Sequence, residues 1–206
     1  MLAWLLGLPS PDWDQVVYWS LDLETGGRDP RRDPILAVGM VPVRAGTIRL
    51  GEAFRTLVRP EDGKAIDPES IRAHQLVWGE VSEAPPLAEV LPEIERRLGD
   101  DAVLLVHHRA LDLGFLKRAF SRHRRHWPHP DVVDTTTLLR RLRDRERRRH
   151  PELPAETPVL NLARARRAHG LPDHPAHDAL SDALATAELF LVLRKALDAK
   201  TLREVK

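Results

Sequence analysis

Two carboxylates stand two residues apart in "VVYWSLDLETGG", residues 16–27, at Asp22 and Glu24. The stretch opens Val16, Val17, Tyr18, Trp19, as a buried strand does. Side chains alternate across a strand, so positions two apart share a face and both acids point the same way. Two like charges held close in a half-buried site repel, and one is driven to stay protonated unless a cation intervenes. A second apolar stretch near the C-terminus repeats the puzzle: "HDALSDALATAELFLVL" (177–193) contains His177, Asp178 and Asp182. Asp178, at a helix start, reads as an N-cap. Asp182 falls inside the helix and is either at its solvent edge or has a buried partner. His177 and Asp182 are five apart, about 140° around a helix. They converge if His177 lies in the loop ahead of that helix, which Pro175 favours. Asp112 is the fourth acid, four residues after the apolar run "AVLLVHH" (102–108), where strand gives way to helix. The carboxyl ends of strands are where α/β sheets commonly place ligands; helix capping is the structural alternative.

Asp22, Glu24, Asp112 and Asp182 offer oxygen ligands, and a chain without cysteine offers no thiolate. Such a set selects hard cations, Mg²⁺ or Mn²⁺. Two of these about 3.5–4 Å apart are the usual arrangement for in-line phosphoryl displacement, one activating water and the other steadying the leaving oxygen. Histidine titrates near neutrality, which suits His177 to take the proton from that water. The residues therefore point to two divalent cations seated against Asp22 and Glu24. A zinc site built from His169, His174 and His177 fits poorly, because its spacing matches no finger and leaves the carboxylates unexplained.

These side chains need a scaffold. The 206 residues suit one domain with a proper core. "VVYWSLDLE" (16–24), "PILAVGMVPV" (34–43) and "TIRLGEAFRTLV" (47–58) read as three successive strands, with a hairpin at Ala45-Gly46. Helix is expected over 86–99, 111–126, the segment out of "DVVDT" (131–135), 159–170 and about 178–198, with strands at 102–108 and 131–135. Three strands followed by alternating helices and strands give a mixed α/β sheet flanked by helices. Residues 1–15 read as an N-terminal extension, 16–198 as the domain and 199–206 as a C-terminal tail. No run is long and apolar enough to span a bilayer, so no membrane partner is expected. The absence of cysteine is compatible with a reducing cytoplasm, the expected location. Formal net charge is only +1, yet residues 117–149 hold twelve Lys or Arg against four Asp or Glu. Such a split points to a polyanionic partner.

Asp-x-Glu-Thr near the N-terminus, an aspartate after a buried strand and His-x₄-Asp near the C-terminus resemble the DEDDh 3′→5′ exonucleases. That family includes the epsilon proofreading subunits of bacterial DNA polymerase III, ribonuclease T and oligoribonuclease. The likeness runs from Val16 to about Leu193 and is most specific in "HDALSDALATAELF". It implies a ribonuclease H-like fold, a five-stranded sheet whose second strand is antiparallel to the rest. It implies Asp22, Glu24, Asp112 and Asp182 as ligands of two divalent cations and His177 as general base. It further implies substrate contacts at Thr25, Glu69, His74 and His108, with the wedge against the terminal base falling to Arg28 or, where Arg28 points into solvent, to Leu23 or another apolar neighbour, and a structural role for Asp134. The expected activity is release of nucleoside monophosphates from single-stranded 3′ ends, DNA ahead of RNA, with a DNA polymerase or repair protein as the implied partner. The alternatives are an exoribonuclease and a catalytically silent nucleic-acid-binding module. The sequence departs from the family where Gly26-Gly27-Arg28 replaces a Thr-Gly-apolar run, and where His108 replaces asparagine.

Overall fold

The computed structural model of the chain describes residues 9–61, 78–99, 101–152, 157–175 and 177–206. At its centre, β1 (Tyr18–Thr25) and β2 (Ile35–Arg44) are near-continuous apolar runs, buried at almost every position because helices cover both faces of the sheet. They pair antiparallel, with Asp22 opposite Gly39. On its other side β1 pairs parallel with β5 (Val103–Val106), and β5 pairs parallel with β6 (Asp131–Asp134). The expected strand over 47–58 is broken. β3 (Thr47–Ile48) and β4 (Phe54–Leu57) both pair with the outer edge of β2, separated by a 3₁₀ turn over Leu50–Glu52. The break falls where the alternation lapses: Leu50 is 57% exposed, and Glu52 turns back to pair with Arg44 at 3.0 Å. The sheet order is β3-β2-β1-β5-β6, with β4 also on β2.

The helices are α1 (Trp78–Glu83), α2 (Leu87–Leu98), α3 (Arg109–Arg122), α4 (Thr135–Arg149), α5 (Leu162–Ala168), α6 (Ala179–Leu197) and α7 (Leu202–Val205). Strand alternation sends Trp19, Leu21, Leu23, Leu104 and Val106 to one face, where α2 and α3 pack on them. Tyr18, Val41, Val43, Val103 and Leu105 face the other side, beneath α4, α6 and α7. α6 lies close against the sheet because its buried side carries Ala179, Ala183 and Ala187, four apart. Its backbone is near enough that the Ser20 hydroxyl donates to the Ala183 carbonyl at 2.7 Å. α1 was not expected; six residues are too few to show a period. α3 begins two residues earlier than expected and ends four earlier, bounded by left-handed residues at His108 (φ 70°) and Arg124 (φ 53°).

The basic segment 117–149 does not form one patch, since α3 and α4 lie on opposite faces of the sheet. Within α4, Arg145 donates to the Leu197 carbonyl at 2.6 Å, Arg141 to the Glu204 carbonyl at 3.1 Å, and Arg143 pairs with Glu146. Arg140, Arg147, Arg148 and Arg149 remain exposed. Among the described residues no helix is long and apolar enough to cross a membrane.

Candidate active site

The parity that puts Tyr18 and Ser20 under α6 puts Asp22 and Glu24 there too, at the carboxyl end of β1. α6 brings Asp182 down onto them. One carboxylate oxygen from each of Asp22, Glu24 and Asp182 lies within 4.8 Å of the others. Asp112 arrives from the opposite face, in the first turn of α3, and is buried. Burial, followed by the charges of Asp112, Glu24, Asp182 and Asp178, pushes Asp22 well above the ordinary carboxylate range. Burial likewise raises Asp112 to about 8, with Asp134 and Glu24 adding to the shift and its own backbone N–H opposing it.

Three features seat α6 so that Asp182 meets Asp22. The first is Gly39, opposite Asp22 in β2: a Cβ there would lie 2.2 Å from the carbonyl carbon and oxygen of Ala179. The second is Arg55, opposite Gly39 in β4, which pairs with Asp178 at 2.8 Å. Asp178 itself caps α6 by accepting from the Ser181 backbone N–H. The third is the Ser20 bond to Ala183.

His177 lies just ahead of α6, as the loop reading requires. It is exposed and left-handed (φ 69°), and its backbone N–H donates to Asp182 Oδ2 at 2.8 Å. The residue that sequence reasoning missed is His174, whose Nε2 lies 2.7 Å from Asp182 Oδ1. Eight residues across a loop carry no periodicity, so the sequence held no sign of this contact beyond a second histidine near His177.

Asp134 has the structural role expected of it. It accepts from the backbone N–H groups of His108 and Arg109 at the start of α3, and from the backbone and hydroxyl of Thr136 at the start of α4. His108 is the N-cap residue of α3 in a left-handed conformation, the region that asparagine tolerates best after glycine. The ring of His107 donates from Nε2 to the Leu160 carbonyl at 2.7 Å, which fixes its tautomer and makes Nδ1 the acceptor of the Thr135 hydroxyl at 2.6 Å. Burial lowers the His107 pKa to about 4. Thr25 donates to the Gly27 carbonyl at 2.6 Å, shaping the turn that leaves Arg28 exposed. Leu23 points to the α2 and α3 side and is 8% exposed. Glu69 and His74 lie outside the described residues.

The donor set fits hard divalent cations. All four side chains are carboxylates, and among the described residues no Lys or Arg pairs with Asp22 or Asp112. A cation would offset the burial and the repulsion that together raise both.

Comparison with known proteins agrees with this geometry. The RNase T exonuclease family model matches residues 20–190. A Mycobacterium tuberculosis protein whose name gives it as a bifunctional exonuclease/endonuclease is 36% identical over 179 residues, covering 84% of this chain and 26% of its own. A DNA polymerase III subunit epsilon-like protein of Rhodobacter capsulatus is 32% identical over 190 residues, covering 92% of this chain and 25% of its own. The chain thus spans about a quarter of the length of these relatives. E. coli Exonuclease I in complex with a dA16 oligonucleotide superposes with a TM-score of 0.75 at 19% identity, over 89% of this chain and 42% of that one. The chain belongs to the DEDDh 3′→5′ exonuclease family, on a ribonuclease H-like fold.

Proposed function

We propose that this chain hydrolyses the terminal phosphodiester at single-stranded 3′ ends and releases nucleoside monophosphates, acting on DNA ahead of RNA. The observation that carries the reading is the convergence of Asp22, Glu24 and Asp182 within 4.8 Å, with Asp112 buried close enough to raise Asp22. Asp22, Glu24, Asp112 and Asp182 would hold two divalent cations, Mg²⁺ or Mn²⁺, which supply the positive charge and water acidification that phosphodiester hydrolysis needs. His177 takes the proton from the attacking water as general base. Its position supports this role: it stands exposed at the mouth of the cluster, while its own backbone N–H grips Asp182.

The rim of the site carries the strand contacts. Arg28 is exposed at the tip of the turn after β1 and suits stacking on a terminal base or pairing with a phosphate. Thr25 ends β1, His108 opens α3 just past β5, and Leu23 lies in the core on the α2 and α3 side. Glu69 and His74 complete the set by motif. A DNA polymerase or repair protein is the partner the class implies, and the cytoplasm the location.

The test uses matched 5′-labelled DNA and RNA oligonucleotides with Mg²⁺ or Mn²⁺, beside Asp182→Ala and a chelator control. A ladder shortening from the 3′ end, absent from both controls and faster on DNA, is expected. Binding without shortening on either strand would replace this reading with the silent binding module, and a faster RNA ladder would make the chain an exoribonuclease.

A further inference from the structure

His174 stands in the loop between α5 and α6, eight residues ahead of Asp182 and outside the family motif that marks His177. Its Nε2 lies 2.7 Å from Asp182 Oδ1, and the two side chains are 10% and 14% exposed. An ionised carboxylate only accepts, so the shared proton sits on Nε2. Nδ1 is buried and has no partner among the described residues, so Asp182 is the single polar contact that holds this ring. Burying an imidazole with one nitrogen orphaned is unfavourable, and packing alone would be served better by an apolar side chain of similar volume. The arrangement makes sense through what it does to Asp182. That carboxylate is gripped at both oxygens, at Oδ1 by His174 and at Oδ2 by the His177 backbone N–H. Two carboxylate oxygens offer about four acceptor sites, so each keeps one free. The plane of the group is fixed while an oxygen stays in the cluster with Asp22 and Glu24.

We propose that His174 is a positioning residue for the metal site, orienting Asp182 through its Nε2–H. This rests on the metal-dependent reading above. The contact is made without His174 joining the ligands, since its one hydrogen-bonded nitrogen is committed to Asp182. Partners of this kind set how well a ligand is preorganised, and losing one typically weakens metal binding about 10–100-fold.

The experiment titrates Mn²⁺ into the full chain without substrate, following free Mn²⁺ by electron paramagnetic resonance. It compares wild type, His174→Ala, His174→Phe and His174→Gln, each checked for melting temperature in chelator. His174→Phe keeps the ring volume and carries the test should His174→Ala fail to fold. Glutamine restores an N–H donor near the place of Nε2. The expected result is about 10–100-fold weaker Mn²⁺ binding in the Phe and Ala variants and near-wild-type affinity in the Gln variant. Kinetics should show a matching rise in the Mg²⁺ concentration for half-maximal rate in the Phe and Ala variants, reversed in the Gln variant. Phe or Ala variants that bind Mn²⁺ as wild type does would overturn the positioning role, as would a Gln variant no better than Ala. Wild type that binds no Mn²⁺ would remove the metal-dependent function itself, and this inference with it.

Discussion

Gly39→Ala adds one methyl group at the point where the sheet and α6 touch. The new Cβ would meet the Ala179 carbonyl carbon and oxygen at 2.2 Å and the Leu180 nitrogen at 2.3 Å, where ordinary contact begins near 3.4 Å. All three are backbone atoms, so no side chain can swing aside. The first turn of α6 must retreat by about 1.2 Å or β2 must bend by as much. Gly39 is not among the positive-φ glycines, so the effect is contact and not backbone strain. Overpacking of this kind costs about 1–3 kcal/mol, roughly 2–12 °C in melting temperature for a chain of this size. The larger effect falls on chemistry. Asp182 sits one turn into the displaced helix, and a misplacement of about 1 Å at a reacting centre costs on the order of 10²-fold in rate. The assay is a single-turnover digestion of a 5′-labelled oligonucleotide at saturating Mg²⁺, beside a thermal melt. Gly51→Ala, where a Cβ meets nothing within 4 Å, is the control. A Gly39→Ala protein with wild-type rate and melting temperature would refute the claim that this glycine sets the position of α6.

His177→Asn should lower kcat by about 10²–10⁴-fold with little change in melting temperature, because asparagine tolerates the left-handed backbone that holds the bond to Asp182. Full activity in that variant would remove His177 as the base. His107 ties stability to pH. Its folded pKa is depressed to about 4 from 6.5, so as pH falls the unfolded chain takes the proton first. Stability from this group is complete above pH 6.5 and is lost as pH falls toward 4, about 2–3 kcal/mol between pH 7 and 4.5. Urea melts of wild type and His107→Gln should diverge over that window, and parallel curves would contradict the assignment. Arg145→Ala should destabilise the fold by about 1–3 kcal/mol through its bond to Leu197, without changing the salt dependence of oligonucleotide binding. A flattened salt slope would show that Arg145 contacts phosphate instead.

The carboxylate cluster was legible because it rests on local rules. Strand parity joins Asp22 to Glu24, and a strand-to-helix junction delivers Asp112. Helix spacing correctly required His177 to lie outside α6. What escaped depends on contacts between segments distant in sequence. Nothing around Gly39 in the sequence says that a helix 140 residues later lies against it, and nothing around His174 says that it touches Asp182. The third strand was misjudged because "TIRLGEAFRTLV" looks extended throughout. Its break at Leu50–Glu52 is a 3₁₀ turn, closed by the Glu52 and Ala53 backbone N–H groups on the Arg49 and Leu50 carbonyls, that strand propensity does not see. The charge excess over residues 117–149 says nothing of where its arginines lie: the sheet divides them between α3 and α4, and carbonyls near the C-terminus take up Arg141 and Arg145.

Asp134 has a consequence beyond capping. One buried carboxylate holds the first turns of α3 and α4, which lie on opposite faces of the sheet and share no other polar anchor of this kind among the described residues. It therefore works as a rivet driven through the sheet. Loosening either layer of helices at that end gives up bonds to the carboxylate that also seats the other, so local opening beside Asp112 is coupled across the sheet.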